Sequence, residues 1–313
     1  MVKQSSKADL VAVAKAARVS ASTVSRAFNH PELVRPTTRK KIERAVEKLG
    51  YIRNRAAQAM HGNRSGTSGV LVPTINHAIF SEVIQSFSDA VDEAGFTILL
   101  ASHGFDLERE YQVLRKFLEH RVDGIAMIGL DHREATFNLI AQQEVPALAI
   151  WNYDANSRVS CIGAENTQAG RLAAQHLIDL GHRDIALVFP ATLENDRARG
   201  RLEGARAVFT ENGCAVSEDR QAETLYSIAH AKRDCLSLLS QPDRPSALLC
   251  GNDVIAQGAV YAAHQLGLSV PQDISIIGIG DYKGSGVVET ALTTISIHAD
   301  RLGARAGELM VES

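Results

Sequence analysis

The spacing of hydrophobic residues divides the chain into two parts. Up to residue 50, apolar side chains recur at helical intervals in three groups, which predicts three short helices. These groups are Val11, Val13, Ala14 and Ala17; Val24, Ala27 and Phe28; and Ile42, Ala45, Val46 and Leu49. Ser20 can accept a hydrogen bond from the free N–H groups of the second helix, and Thr37 or Thr38 can do so for the third. Gly50 is placed to end the third helix.

From residue 69 onward, short apolar runs alternate with amphipathic stretches. The apolar runs predict strands at 69–73, 96–102, 124–130, 147–151, 159–164, 184–190, 247–251, 274–281 and 293–297. The amphipathic stretches predict helices at 79–94, 107–120, 167–180, 199–212, 230–240 and 252–266. Continuous apolar strands separated by helices indicate parallel sheets covered on both faces. This repeat is compatible with one large sheet or with two smaller lobes.

The segment between these two parts has a different composition. Residues 51–68 are basic and rich in Ala, then in Gly and Ser. Such a composition is typical of a short, marginal helix followed by a flexible link. We therefore predict a domain boundary here.

The charges are distributed unevenly between the two parts. Residues 1–65 hold 14 Lys and Arg but only 4 Asp and Glu, a net charge of +10, whereas the remaining residues carry −13. A basic head on an acidic body indicates a polyanionic partner such as nucleic acid. The alternative is a solvated basic face on a small helical domain.

Other features of the sequence exclude several classes of protein. The four cysteines, Cys161, Cys214, Cys235 and Cys250, form no CxxC pair and have no nearby His cluster, so we expect neither a zinc site nor a disulfide framework. No apolar run approaches the roughly 20 residues of a membrane span, and no signal peptide is evident at the N-terminus. We expect a cytoplasmic protein without a metal or cofactor.

The segment Val19–Asn29 has the spacing of a helix-turn-helix, whose second helix lies in the major groove with its N-terminal residues at the base edges. Ala21 and Ser22 would face bases first and Arg26 one turn later, because Arg reads guanine and Ala can contact a thymine methyl group. Ser20, Thr23, Ser25 and Asn29 suit phosphate contacts. The alternative for Ala21 and Ser22 is a plain helix surface.

At these residues the chain resembles the lactose-repressor (LacI/GalR) family of bacterial transcription regulators. The pattern V-S-x-x-T-V-S-R-x-x-N matches Val19–Asn29, and Leu49–Met60 is similar to the family's L-G-Y-x-P-N-x-x-A-R-x-L. The resemblance implies a hinge helix that folds on the operator, with Tyr51, Asn54, Ala57 and Met60 at the DNA. Met60 takes the place of a leucine that wedges into the minor groove, and the alternative is packing against the hinge of a second subunit.

The chain departs from the family pattern at several positions in and near the head. Arg53 stands where the family usually has Pro, Gln58 replaces a common Arg, Arg18 replaces the usual turn Gly, and Ala12 replaces a frequent Asp. Each departure concerns the geometry around the helix-turn-helix or the hinge.

The resemblance implies a fold of two units: a small all-α helix-turn-helix head and an α/β, two-lobed body like a type I periplasmic binding protein. The predicted domains are a head at 1–50, a hinge and linker at 51–68, a first lobe at 69–164 plus 293–313, and a second lobe at 165–292. Family members usually continue beyond the position of Ser313 through another crossover and strand.

The same resemblance implies an effector site between the lobes. Its residues here are Asn76, Phe80, His103, Asp131, Trp151, Arg201, Asn252 and Asp281. The alternatives are lobe packing for Trp151, a turn cap for Asp281, and an ion pair with Glu203, Glu194 or Asp196 for Arg201. Asp, Asn, Arg and Trp together suit a sugar or sugar acid, since an arginine can pair with a carboxylate. The stretches around Trp151 and His103 are similar to those of gluconate-type regulators.

We therefore predict a homodimeric regulator, most simply a repressor, that binds a near-palindromic operator in double-stranded DNA and responds to a small sugar or sugar-acid effector. A solute-binding protein of a transporter would share the body but would not need a basic head. An enzyme is a further alternative, but no P-loop, GxSxG or HExxH motif is present, so we predict no catalysis.

Overall fold

The computed structural model describes residues 8–53, 64–287 and 289–313. The chain divides between Asn63 and Arg64 into two compact units, which we call the head and the body. The described part of the head contains three α-helices, α1 (Leu10–Ala17), α2 (Ala21–Asn29) and α3 (Pro36–Leu49), with a 3-10 turn at Pro31–Leu33. These are the three helices that the hydrophobic pattern predicts.

The head is held together by a small apolar core. Its fully buried members are Val13, Ala14, Ala17, Val24, Ile42 and Ala45, to which all three helices contribute. Val11 and Leu49, which the pattern also placed on apolar stripes, are exposed. A core of this size orients α2 with Val24 inward and the opposite face toward solvent.

Caps and turns define the ends of the head helices. Ser20 caps α2 as predicted, since its side chain accepts a hydrogen bond from the N–H of Thr23. The prediction of Thr37 or Thr38 as the cap of α3 is wrong, because α3 begins at Pro36, whose missing N–H and fixed φ suit the first helical position. Arg18 and Gly50 both have left-handed backbones, with φ of 57° and 58°.

The body alternates strands and helices from its first residues to its last. Its strands are β1 (Thr67–Val72), β2 (Thr97–Ser102), β3 (Gly124–Ile128), β4 (Ala147–Asn152), β5 (Ser160–Ala164), β6 (Ile185–Phe189), β7 (Gln221–Glu223), β8 (Ala247–Cys250), β9 (Ser275–Gly280) and β10 (Thr293–Ser296). Its helices are α4 (Ala78–Glu93), α5 (Leu107–Glu119), α6 (Glu134–Gln143), α7 (Asn166–Asp179), α8 (Asp196–Glu211), α9 (Ile228–Leu239), α10 (Asp253–Gln265) and α11 (Ala299–Glu312), with a 3-10 turn at Glu218–Arg220.

These strands form two parallel sheets, so the body has two lobes. The first sheet has the order β2-β1-β3-β4-β5 and the second has the order β10-β9-β8-β6-β7. The assignment of 293–297 to the first lobe is wrong, because β10 pairs with β9 of the second sheet. The chain crosses back only after β10, and α11 then packs on α4, β3 and β4. A buried strand has the same apolar pattern in either sheet, so the pattern does not show at which strand the chain crosses between the lobes.

Close helix packing in the body depends on glycines. A Cβ on Gly170 would overlap the carbonyl of Arg201, and one on Gly204 would overlap the carbonyl of Thr167, so α7 and α8 approach closely. Gly303 likewise permits α11 to approach Val83 on α4. The α7–α8 contact places Gly200–Gly204 of α8 against the start of α7, immediately after the crossover between the lobes.

Helix α6 and strand β7 of the body were not predicted from the sequence. Helix α6 buries only Thr136 and Ile140, and β7 has only three residues, so neither gives a strong periodic signal. Within the described ranges, no helix is both long and apolar enough to cross a membrane.

Candidate functional sites

The N-terminus of α2 carries a cluster of hydroxyl groups. Ser20 Oγ accepts from the N–H of Thr23 at 3.1 Å, and it lies 2.8 Å from both Ser22 Oγ and Thr23 Oγ1. A helix N-terminus with free N–H groups and hydroxyl donors is a natural site for a phosphate oxygen. The cap thus both starts α2 and forms a polar surface at its exposed end.

The outer face of α2 carries the side chains predicted to read DNA. Ser22 and Arg26 are exposed, whereas Ala21, Thr23 and Ser25 are half-buried around the buried Val24. Arg26 is one turn beyond Ser22, and its guanidinium offers five donors in a planar fork. The structure therefore exposes Ser22 and Arg26 on one surface of a basic unit, whereas Ala21 packs against the head core.

The C-terminal end of α2 is tied to the segment after α3. Arg53 donates to the side chain of Asn29 and to the carbonyl of Phe28 at 3.4 Å, and its guanidinium lies 5.6 Å from the centre of the Phe28 ring. Tyr51 packs against Phe28 with ring centres 6.1 Å apart. Arg53, which departs from the family's Pro, thus anchors this segment inside the head.

These contacts bear on two predicted DNA contacts. Asn29 already interacts with Arg53 and donates to Ser25 Oγ at 3.5 Å, and the Tyr51 ring is part of the head core. DNA contacts by Asn29 and Tyr51 stay predictions. Asn54, Ala57 and Met60 lie outside the described residues.

In the body, the carboxyl ends of the strands of both lobes meet along one cleft. On the first-lobe side, Trp151 is the next-to-last residue of β4 and Phe80 lies on α4, with ring centres 5.5 Å apart. Trp151 is 2% exposed and has a φ of 93°, a conformation that a bulky residue rarely adopts. Such strain is found mainly at functional sites. The alternative for Trp151, lobe packing, describes its present contacts.

Arg201 is held within the second lobe by neutral partners and reaches the first lobe only through Asn166. Its side chain is 4% exposed, Nε donates to Asn166 Oδ1 at 2.8 Å, and Nη1 donates to the carbonyl of Gly251 at 2.9 Å. Burial lowers the pKa of Arg201 to about 10. Asn166 in turn donates to the carbonyl of Trp151 at 3.1 Å. The structure shows these contacts in place of the alternative ion pair with Glu194, Asp196 or Glu203.

Asn252 caps α10 and keeps one donor unused. Its Oδ1 accepts from the N–H of Ile255 at 3.0 Å. Asn252 is only 3% exposed, and its buried Nδ2 has no hydrogen-bond partner among the described residues. An unsatisfied buried donor costs about 1–3 kcal/mol. An acceptor from a bound ligand would remove that cost.

The acidic group at the end of β9 is Asp253 rather than Asp281. The Asp253 carboxylate accepts from the N–H of Asp281 at 2.6 Å, from Ser285 Oγ at 2.8 Å and from Thr294 Oγ1 at 2.5 Å. Burial raises the pKa of Asp253, although these hydrogen bonds oppose the shift. Asp281 itself is exposed. Its direct contact with an effector stays a prediction.

An aromatic group closes the other end of the cleft. Tyr226 of the second lobe lies 5.2 Å from Phe105 in a stacked arrangement and 5.3 Å from His77, both of the first lobe. Burial lowers the pKa of His77. The predicted neighbour Asn76 is exposed, and its backbone N–H donates to Thr74 Oγ1 at 3.1 Å. These three rings were not predicted from the sequence, because they follow strand ends without a motif.

Asp131 and His103 have partners other than those expected of a ligand pocket. Asp131 forms an ion pair across the lobes with Arg199, at 2.8 Å. His103 is buried in the first lobe with Nε2 3.7 Å from Glu110 Oε2, and burial lowers its pKa. Beside them, a polar groove of about 560 Å³ runs along the lobe boundary. Its lining includes Asp131, Asn152, Asn166, Thr167, Asp196, Arg199 and Glu203.

Two other kinds of chemistry, metal binding and thiol reactivity, have little support in the described part of the chain. No group of His, Cys, Asp and Glu side chains there is arranged to hold a metal ion. All four cysteines are free thiols, and burial raises the pKa of Cys235 to about 12. Burial also raises the pKa of Cys250, so the Cys235 and Cys250 thiols are protonated at neutral pH.

Comparison with known proteins identifies both units. Residues 10–54 match the family described as bacterial regulatory proteins, lacI family, and residues 174–313 match a periplasmic binding protein-like domain. The transcriptional repressor PurR of Klebsiella pneumoniae subsp. pneumoniae is 30% identical over 302 residues, which span 96% of this chain and 88% of that protein. The chain belongs to the lacI family.

Solved structures of lacI-family regulators show the same architecture. A lac repressor dimer bound to operator and the anti-inducer ONPF has a TM-score of 0.86 at 28% identity, covering 98% of this chain and 92% of that one. A LacI-family regulator from Silicibacter pomeroyi has a TM-score of 0.86 at 25% identity, covering 97% and 92%. The predicted fold, a helix-turn-helix head with a two-lobed body, is confirmed, and the protein is a DNA-binding transcription regulator.

Proposed function

We propose that this lacI-family regulator is a repressor that binds a near-palindromic operator as a homodimer and releases or holds it according to a small effector. The observation that supports the DNA-binding half is the exposed face of α2, with Ser22 and Arg26 turned outward from a head of net charge +10 over residues 1–65. Base contacts from this face would give specificity, while the surrounding basic residues hold the phosphates. Such a regulator acts in the cytoplasm, where it meets DNA.

The dimer follows from the geometry of helix-turn-helix recognition. Two heads reach successive major grooves only when their α2 helices are about one helical turn of DNA apart, which needs a two-fold assembly. The lac repressor, whose fold this chain shares, is a dimer on its operator. The hinge residues Asn54, Ala57 and Met60 would then meet at the operator centre, with Met60 as the apolar wedge.

We propose that the effector binds between the lobes and is a sugar or, by preference, a sugar acid. The unused donor of Asn252, the Arg201 guanidinium with two neutral acceptors, and the Trp151 and Phe80 rings supply the groups that such a ligand needs. The gluconate-type subgroup remains a proposal from the sequence. We expect no turnover of the ligand, because its role is to change the lobe arrangement.

Fluorescence anisotropy tests both halves of this proposal. A labelled duplex from the protein's own promoter region is titrated with protein beside a random duplex of equal length, with and without a panel of neutral sugars and sugar acids. We expect the promoter duplex to bind at least about 10³-fold more tightly at physiological salt. Equal affinity for the two duplexes would contradict operator recognition. A response to neutral sugars alone would contradict the sugar-acid assignment.

A further inference from the structure

The first turn of α8 reaches out of the second lobe into the first. Asp196 Oδ2 accepts from the N–H of Leu130 at 2.6 Å and from Asn152 Nδ2 at 2.9 Å. Arg197 Nη1 donates to Asp196 Oδ1 at 2.8 Å and to the carbonyl of Ile128 at 3.4 Å. We call Asp196 and Arg197 the lobe latch, together with their first-lobe partners: Leu130 and Asn152, which donate to Asp196, and Ile128, which accepts from Arg197. Its charged members are buried and their bonds join both lobes, so it can form only in the lobe arrangement seen here, which we call closed.

The peptide that donates its N–H to Asp196 joins Gly129 to Leu130, and its conformation requires glycine at position 129. Gly129 has a φ of 87°, and a Cβ at this position would overlap Arg197 Nη1 and Asp196 Oδ1. The Gly129–Leu130 peptide must therefore keep a specific orientation for its N–H to meet Asp196. A first-lobe donor to the Gly129 carbonyl, the other polar group of this peptide, would fix that orientation.

His132 holds it from within the first lobe. Its Nε2 is 2.9 Å from the carbonyl of Gly129, and its Nδ1 is 3.0 Å from both oxygens of the Glu110 carboxylate. A carbonyl and a carboxylate only accept hydrogen bonds, so both ring nitrogens must donate, and the imidazole is positively charged. The side chains of His132 and Glu110 are 0% and 1% exposed. Glu110 and His132 therefore form a buried charged pair, and the bond from His132 Nε2 to the Gly129 carbonyl fixes the orientation of the Gly129–Leu130 peptide.

The charges that face His132 come from both lobes. Glu110 on α5 and His103 at the end of β2 belong to the first lobe, Asp196 and Arg197 belong to α8, and the Phe137 ring of α6 lies edge-on at 5.7 Å. Burial lowers the pKa of His132, but the hydrogen bond and charge of Glu110, the Gly129 carbonyl and Asp196 together raise it above its ordinary value. Asp196 contributes only when the lobes are closed.

We propose that Glu110 and His132 are positioning residues for lobe closure, and that protonated His132 is required for the closed arrangement. Closure brings Asp196 toward His132, so by linkage protonation of His132 and closure favour one another. Because the folded pKa is raised, this contribution is complete below the ordinary pKa of histidine and is lost as pH rises through the raised pKa. The inference rests on the proposed function only in taking lobe closure as the movement that the effector controls.

Trp151 provides the measurement, since it is the only tryptophan of the chain and adjoins the latch residue Asn152. Emission wavelength and acrylamide quenching are followed from pH 5 to pH 9 without effector or DNA. We expect one transition in which the emission moves to longer wavelength and quenching increases at high pH. In Glu110→Gln the midpoint should fall by about one to three pH units, because the anion that supports the imidazolium is gone.

A matched control separates positioning from a general effect of charge removal. Glu134→Gln makes the same chemical change in the same lobe, at an exposed carboxylate paired with Arg158, and its midpoint should equal that of the wild type. Asp196→Asn removes the anion from the opposite lobe and should also lower the midpoint, even if Glu110→Gln fails to fold. Circular dichroism at each pH shows that the transition is not unfolding.

The outcomes decide the proposal without reference to DNA. An unchanged midpoint in Glu110→Gln and in Asp196→Asn, or a wild-type signal that does not vary with pH, would overturn it. Either result would leave operator binding and effector recognition as proposed. A failure of operator recognition would equally leave this measurement valid.

Discussion

Arg26 in the head and Arg201 in the body show how differently the two units use the same side chain. Arg26 is exposed on α2, where its donors remain available to a base edge. Arg201 is almost fully buried and already donates to Asn166 and to the carbonyl of Gly251. A residue that reads DNA must stay solvated until the DNA arrives, whereas a residue that sets the lobe geometry is committed within the fold. Substitution of Arg26 should therefore reduce the affinity for operator DNA, whereas substitution of Arg201 should reduce the stability of the fold.

The largest effect on stability is expected for Arg201→Met. It removes two buried hydrogen bonds and leaves Asn166 Oδ1 and the Gly251 carbonyl without their donor, at a cost of about 3 kcal/mol in the free energy of unfolding. Urea denaturation measures this cost. Arg206→Met on the same helix is the control, because Arg206 is exposed, and it should cost less than about 0.5 kcal/mol. Equal costs would show that Arg201 is not a structural tie.

The largest effect on DNA recognition is expected for Arg26→Ala. Loss of a bidentate base contact should weaken operator binding by about 1–3 kcal/mol while changing binding to random duplex much less. Anisotropy titrations with both duplexes measure the ratio. Arg44→Ala, an exposed residue of α3, should weaken both duplexes alike if it contacts only phosphate. Equal losses on the two duplexes in Arg26→Ala would remove its role in reading bases.

A smaller effect is expected for Ser20→Ala, which removes the cap of α2. Loss of the bond to the Thr23 N–H should destabilise α2 by about 1 kcal/mol. Hydrogen exchange of the α2 amides in the full chain measures it, and Ser20→Asp, which keeps an acceptor, should restore most of the protection. If the α2 amides exchange at the same rate in Ser20→Ala as in the wild type, the Ser20 hydroxyl does not stabilise α2, and only a role in DNA contact is left for it.

The sequence predicts the elements of this protein better than the contacts of its sites. Periodicity located the three head helices and most strands of the body, because each buries a regular apolar face. It did not place β10 in the second sheet, since that depends on where the chain crosses between lobes. The family resemblance drew attention to Asn252 and Asp281, but it is the neighbouring Asp253 that accepts hydrogen bonds from the Asp281 N–H and from Ser285 Oγ, a fact set by tertiary packing.

The same limit applies to the lobe latch. Asp196 and Arg197 lie next to each other at the start of α8, and the sequence suggested only an ion pair of Arg201 with such acids. The hydrogen-bond partners of Asp196, which are Leu130 and Asn152, and the Ile128 carbonyl that accepts from Arg197 lie in a different lobe. Glu110 on α5 and His132 in the loop after β3 are 22 residues apart in the sequence, so the pair forms no recognisable motif. Contacts of this kind appear only once the topology is known.

The central claim is that a ligand bound in the body governs the hold of the head on DNA. Asn252→Asp tests it most directly, because the carboxylate still caps α10 but the unused Nδ2 donor is lost. Operator affinity is measured by anisotropy for both proteins, with and without the panel of sugars and sugar acids. The account predicts equal affinities without ligand, and a ligand response of about 5- to 150-fold in the wild type that the variant loses. A response of equal size in the variant, or none in the wild type, would contradict the claim.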